Sequence, residues 1–267
     1  MRQLEVERLL PRVVELACRA GEQVMAVYEE GRLELQSKAD SSPLTRADIA
    51  SHQCLAQGLA DFGLGCPVVS EEDAVSVSER CDQGHFWLLD PLDGTKEFIA
   101  RNGEFTVNVA LIEAGRPVLG VVVAPALGQI YWAAKGLGAF RSVSGVVDRI
   151  HVSRALADGS AAAPLRVVVS KSHLDEDTQA FIGNLGRTTL LQAGSSLKFC
   201  LVAQGLADVY PRLAPTCEWD TAAAQLILEE AGGVVIDLEG KSLRYGKREV
   251  LNPSFIGACS RDVIPHA

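Results

Sequence analysis

Paired cysteine motifs are missing from the chain. Its seven cysteines (Cys18, Cys54, Cys66, Cys81, Cys200, Cys217 and Cys259) contain no CxxC pair, and their odd number excludes a framework in which every thiol is bonded. Reduced thiols of a cytosolic protein are the simpler reading. None of the five histidines falls near the cysteines at finger spacing, which removes a zinc finger. Long apolar runs are missing too. The most apolar stretch, Val118 to Leu127, is interrupted by Gly120 and Pro125 and is too short to span a bilayer. The opening residues Met1-Arg2-Gln3-Leu4-Glu5 place charge in every turn, unlike the apolar core of a signal peptide. Positive charge is in deficit: 25 basic against 34 acidic residues leave a net charge of −9, which argues against a nucleic-acid polymer as partner. No repeat of fixed period and no low-complexity tract is visible, so solenoids and disordered polymers are excluded.

What is present is a globular composition. Of 267 residues, 48% are hydrophobic and 22% charged, and a chain of that size buries roughly three quarters of its extended surface. Length alone favours about two domains. Val6, Leu9, Leu10, Val13, Ala17, Ala20, Val24 and Val27 recur at helical spacing, predicting a long amphipathic helix with a break or fresh start at Pro11 and a stop near Gly31. A second helix is predicted after Pro43 to Thr45, running to Gly63. Short apolar runs bounded by glycine and proline read as strands: Pro67 to Ser70, Phe86 to Leu89, Phe105 to Ile112 and Val118 to Val123, the last two joined as a hairpin at Gly115-Arg116.

From about Val146 to Leu165 large apolar residues are few, which places a domain boundary there. Residues 1–150 are expected to form an α+β domain and residues 151–267 an α/β domain. In the second, strand signals (Val167 to Val169, Thr189 to Leu191, Val234 to Ile236) alternate with helical ones (Asp175 to Leu185, Ser196 to Ala203, Asp220 to Ala231).

The run DPLDGTKEF, Asp90 to Phe98, directly follows an apolar strand and so stands where open sheets present their ligands. Gly94 lets the backbone bend close to a ligand, and Thr95 reads as the N-cap of a following helix whose free N–H groups favour an anion. Taken alone, the two aspartates are equally well an ordinary turn. Glu71 repeats the strand-then-acid pattern after Ser70, and Asp220, in EWDTAA, opens a helix; singly, one reads as a solvated loop acid and the other as a helix cap. Should Glu71, Asp90, Asp93 and Asp220 converge, their mutual repulsion calls for divalent cations. An all-oxygen donor set favours a hard ion, most simply Mg²⁺.

Together, Glu71, DPLDGT and WDTAA resemble the inositol monophosphatase superfamily of magnesium-dependent, lithium-sensitive phosphatases, across most of the chain. The resemblance implies a layered α-β-α-β-α sandwich. It also implies two or three Mg²⁺ ions held by Glu71, Asp90, the carbonyl of Leu92, Asp93 and Asp220. KADSSPLTRAD, Lys38 to Asp48, and GSSLKFCLVAQGLADVYPRLAPTCEWDTAA, Gly194 to Ala223, are similar to the CysQ-type branch of 3′(2′),5′-bisphosphate nucleotidases. By that resemblance Asp40, Thr45, Glu71 and Thr95 are the catalytic set that orients and deprotonates water. The same resemblance implies that Gly94, Thr95, Ser170, His173, Gly194, Lys198 and Asp220 contact the substrate; Arg212, whose guanidinium can grip two oxygens, is a further candidate phosphate contact. Read without the resemblance, Thr45 or Ser42 caps the second helix, Asp40 is exposed and His173 is a surface histidine.

The implied reaction is hydrolysis of the 3′-phosphate of 3′-phosphoadenosine 5′-phosphate to AMP, with 3′-phosphoadenylyl sulfate as a second substrate. Two rivals are an inositol phosphate or fructose bisphosphate phosphatase and a non-catalytic protein that binds nucleotide or metal. The expected protein is cytoplasmic, monomeric or homodimeric, with no transmembrane segment; peripheral attachment to the inner membrane stays open.

Overall fold

A computed structural model describes residues 3–31, 36–37, 43–79, 84–153, 163–171 and 174–265. Helix α1 (Gln3–Glu30) lays its apolar stripe inward, with Val13, Ala17, Ala20 and Val24 fully buried. It runs through Pro11 without the predicted break. Pro11 is exposed, on the face where helix carbonyls already lean toward water, and the packed face outweighs the lost hydrogen bond. After the short strands β1 (Gln36–Ser37) and β2 (Pro43–Leu44), helix α2 (Arg46–Ala60) packs beside α1. Thr45 is its N-cap, in a reciprocal capping box with Asp48.

Seven strands form one sheet in chain order: β3 (Val68–Ser70), β4 (His85–Asp93), β5 (Thr106–Glu113), β6 (Arg116–Ala124), β7 (Gln129–Ala134), β8 (Gly138–Val143) and β9 (Val146–Ile150). Helix α3 (Ala74–Glu79) lies between β3 and β4, and α4 (Thr95–Ile99) between β4 and β5. Only the β3–β4 pair is parallel; the others are antiparallel. The predicted β5–β6 hairpin turns on Ala114 and Gly115, both at positive φ, the geometry of a two-residue turn that matches strand twist. The apolar run in β4 is continuous because both faces are covered. Trp87 and Leu89 enter the core beneath α1 and α2, while Phe86 and Leu88 enter the core on the other side.

A second, mixed sheet has the order β11-β10-β12-β14-β13, from β10 (Leu165–Ser170), β11 (Thr188–Ala193), β12 (Val209–Arg212), β13 (Val234–Asp237) and β14 (Phe255–Ala258). Helices α6 (Leu197–Ala203) and α7 (Glu218–Glu230) fill the space between the sheets, and α5 (Glu176–Gly183) covers the far side. The result is the layered α-β-α-β-α sandwich. Helix α7 follows the second sheet in the chain for three of its strands, yet packs on the first through β5, β6 and β7. Gly120 in β6 permits that approach: a Cβ there would stand 2.5 Å from the Ala223 carbonyl of α7.

Candidate active site

The run DPLDGT belongs to β4 and its turn into α4 rather than to a loop after the strand. Residues three apart on a regular strand face opposite sides. Here Asp90 pairs with Asn108 and Asp93 with Thr106, so Pro91 and Leu92 of β4 oppose the single Val107 of β5 and β4 carries one extra residue. That bulge re-aims Asp93. The predicted cap at Thr95 is one position late. Gly94 is the N-cap, at φ 93°, and Thr95 begins α4 with its hydroxyl 3.5 Å from the Leu92 carbonyl. Only glycine adopts that backbone cheaply, so the turn falls on Gly94.

Carboxylate oxygens of Glu71, Asp90 and Asp220 lie within 4.8 Å of one another. Glu71 stands one residue beyond β3, Asp90 near the end of β4, and Asp220 in the first turn of α7. Asp220 does not open that helix, because α7 begins at Glu218; its Oδ2 instead accepts from the Cys217 N–H at 2.7 Å. Burial, then the charges of Asp93 and Glu71, push the Asp220 carboxyl up to about 8. Asp93 shares a cavity of about 150 Å³ with Asp220. Burial raises its carboxyl as well, against the opposing pull of Lys198, Ser196 and Asn108. An all-carboxylate cluster under this strain fits a hard divalent cation, which removes the repulsion and needs neither histidine nor thiolate.

Support for Asp93 comes from residues the sequence reading did not single out. Its Oδ2 accepts from the Ser196 N–H at 2.7 Å and from Asn108 Nδ2 at 3.3 Å. Ser196 Oγ is within reach of both Asp93 Oδ2, at 2.9 Å, and the Asp220 carbonyl, at 2.8 Å. Ser196, at the start of α6, thus spends its backbone N–H on Asp93 rather than on a ligand. The signal for Ser196 was its place at a helix start, whereas nothing local marks Asn108 inside β5.

Gly94, Ser170, Lys198 and Arg212 line the same cavity, with Glu97, Ser195, Thr216 and Thr221. Lys198 is buried, donates to the Ser195 carbonyl at 2.7 Å and stands 5.6 Å from the centre of the Tyr210 ring. Burial brings its ammonium down to about 8, against the carboxylates that favour the charge. The Arg212 Nε is buried with no hydrogen-bond partner among the described residues, while Nη2 donates to the Pro215 carbonyl. Gly194 is required by a close approach, since a Cβ there would lie 2.6 Å from the Glu104 carbonyl. Thr45 is buried in its capping box, its hydroxyl 2.6 Å from Asp48 Oδ2. Asp40 and His173 lie outside the described residues.

Residues 5–262 match the model of the inositol monophosphatase family. The chain is 48% identical over 249 residues to the 3′(2′),5′-bisphosphate nucleotidase CysQ of Salmonella typhimurium, covering 92% of this chain and 98% of that one. Its counterpart in Escherichia coli (strain K12) is 47% identical over the same shares. Among solved structures, CysQ from Bacteroides thetaiotaomicron superposes with a TM-score of 0.81 at 39% identity, covering 93% of this chain and 96% of the other. A Thermotoga maritima IMPase superposes with a TM-score of 0.77 at 27% identity, covering 95% and 92%.

Proposed function

The chain belongs to the inositol monophosphatase family, and from that premise we propose that it is a 3′(2′),5′-bisphosphate nucleotidase releasing the 3′-phosphate of 3′-phosphoadenosine 5′-phosphate to leave AMP. The observation that carries the reading is the meeting of Glu71, Asp90 and Asp220 within 4.8 Å, from the ends of two neighbouring strands and the first turn of a helix remote from them in the chain, with Asp220 and Asp93 lining one cavity. Together with the CysQ relatives, it favours a nucleotide phosphatase over a silent binding protein.

Magnesium is the ion the donor set fits, in two or three positions shared by Glu71, Asp90, the Leu92 carbonyl, Asp93 and Asp220. Bound there, it would neutralise phosphate charge and acidify water. The chain's own residues then have mainly to position and to balance charge. Ser196 and Asn108 fix the Asp93 carboxylate. Lys198 and Arg212, which line the same cavity, offer positive charge to an anionic substrate. Thr95 and Thr45, with Asp40 and Glu71, orient the attacking water and take its proton, and Gly94, Ser170, His173 and Gly194 contact the nucleotide. The Arg212 Nε, buried and without a hydrogen-bond partner among the described residues, is a donor suited to a phosphate oxygen.

A phosphate-release panel tests the reading: 3′-phosphoadenosine 5′-phosphate, 3′-phosphoadenylyl sulfate, inositol monophosphate and fructose 1,6-bisphosphate, each with and without Mg²⁺. The adenine nucleotides should turn over fastest and only with the ion. Preference for inositol monophosphate would reject the assignment in favour of a sugar-phosphate phosphatase.

A further inference from the structure

Helix α2 turns two consecutive side chains onto the two strands that carry the candidate ligands. Ser51 Oγ donates to the Pro91 carbonyl at 2.7 Å, inside the stretch between Asp90 and Asp93. The neighbouring His52 places Nδ1 2.9 Å from the hydroxyl of Ser70, the residue before Glu71. Ser51 and Ser70 are fully buried and His52 is half-buried. Adjacent helical residues point about 100° apart, so one helix can reach two strands at one level.

These contacts fall where the backbone ladder hands over to side chains. The parallel β3–β4 ladder pairs Val68 with Trp87 and Ser70 with Leu89, and Glu71 N–H then bonds the Leu89 carbonyl at 3.2 Å. Asp90 follows, and the register of β4 against β5 breaks between Asp90 and Asp93. Burial lowers the His52 imidazole, against the opposing charge of Asp73. Ser70 Oγ also accepts from the Glu72 N–H at 3.4 Å. A chain of two bonds thus runs from the Glu71-Glu72 turn into α2.

We propose that Ser51 and His52 are positioning residues that hold the Ser70-Glu71 turn and the Asp90–Asp93 segment at the separation their carboxylates need to share divalent cations. The proposal rests on the reading of those carboxylates as cation ligands.

The test is calorimetric titration of the full-length, substrate-free protein with Mg²⁺ or Mn²⁺, alongside Mg²⁺-dependence and a KM-against-kcat split in phosphate release. His52→Leu and Ser70→Ala should each weaken divalent-ion binding about 10- to 100-fold, the range for groups that orient metal ligands. The double variant should be little worse than either single one, since both cut one chain of bonds. At saturating Mg²⁺ the KM for nucleotide should stay near wild type. His52→Asn, whose amide can offer either an acceptor or a donor where Nδ1 stands, should recover most of the affinity. Ser51→Ala should weaken binding as well, and it decides the matter should His52→Leu fail to fold. Wild-type ion affinity in folded His52→Leu, or an Asn variant as impaired as the Leu variant, would overturn the proposal. Wild-type protein that binds the ion but releases no nucleotide phosphate would sink the functional reading and leave the calorimetry to judge this one.

Discussion

The two sheets reach the cavity by opposite routes. In the seven-stranded sheet every strand pairs with its neighbour in the chain, and the carboxylates it supplies, Glu71, Asp90 and Asp93, sit at or just past the ends of β3 and β4. The five-stranded sheet is shuffled, in the order β11-β10-β12-β14-β13. It delivers its share mostly through the first turns of the two helices that leave it, with Ser196 and Lys198 at α6 and Asp220 at α7. One side thus contributes acids placed by local pairing. The other contributes an acid, a cation and hydrogen-bond donors placed by long-range packing. The difference teaches that three of the four acids follow from pairing between chain neighbours, while the fourth acid, the buried lysine and the Ser196 support for Asp93 depend on how the layers pack.

The sharpest way to break this comparison is Asp93→Asn, which removes a negative charge from the first side with almost no change in shape. Mg²⁺-dependent phosphate release should fall more than about a hundredfold, beyond the range for outer supporting groups. Thermal melting should show an intact fold. Near-normal turnover would mean that Asp93 is no ligand. Ser196→Ala cuts the support from the second side and should cost about 10- to 100-fold in activity or ion affinity. A larger loss than that of Asp93→Asn would invert the ranking of the two sides.

Gly120→Ala probes the seam between them. Its Cβ would press on the Ala223 carbonyl of α7, and denaturant unfolding should register a loss of about 1–3 kcal/mol. A stability within error of wild type would show that α7 can shift on β6 without strain.

The smallest effect belongs to a pair far from the acids. Arg166 grips Asp208 through two side-chain nitrogens at 3.0 and 2.7 Å. Burial alone would raise the Asp208 carboxyl, and the Arg166 bonds and charge more than reverse it, holding it below the usual range. A carboxyl lowered by folding adds stability above its unfolded pKa and loses it as pH falls through the folded one. The stability gap between wild type and Asp208→Asn should therefore narrow on acidification. A gap unchanged from neutral pH into the acid range would remove the ion pair from the account.

Elements with a strong local period were legible. The α1 stripe, the Thr45 cap and the β5–β6 turn all express short-range sterics and hydrogen bonding, and each stands near its predicted place. Pro11 misled because its cost is local while the compensation, a long buried face, is not. Strands β7, β8 and β9 escaped notice, since β7 and β8 are only partly buried with no strict alternation and β9 is exposed up to Ile150. The short strands β12 and β14 carry too few residues to show a period, yet they pair along their whole length. Among site residues, the acids stood out because clustered carboxylates need a reason. Asn108, Ser51 and Thr216 did not, because a polar side chain in a strand, helix or loop is ordinary until its partner is known.

Composition and motif alone determined that this is a folded α/β chain with acids suited to a hard cation, because residue type dictates burial, charge and donor chemistry wherever the residue ends up. Only the tertiary structure decided that Glu71, Asp90 and Asp220 meet, that a bulge in β4 re-aims Asp93, which shares a cavity with Asp220, and that Ser196 at the start of α6 bonds it there. Those are distances between parts of the chain remote in sequence, and they are set by how layers pack rather than by any neighbour-to-neighbour preference.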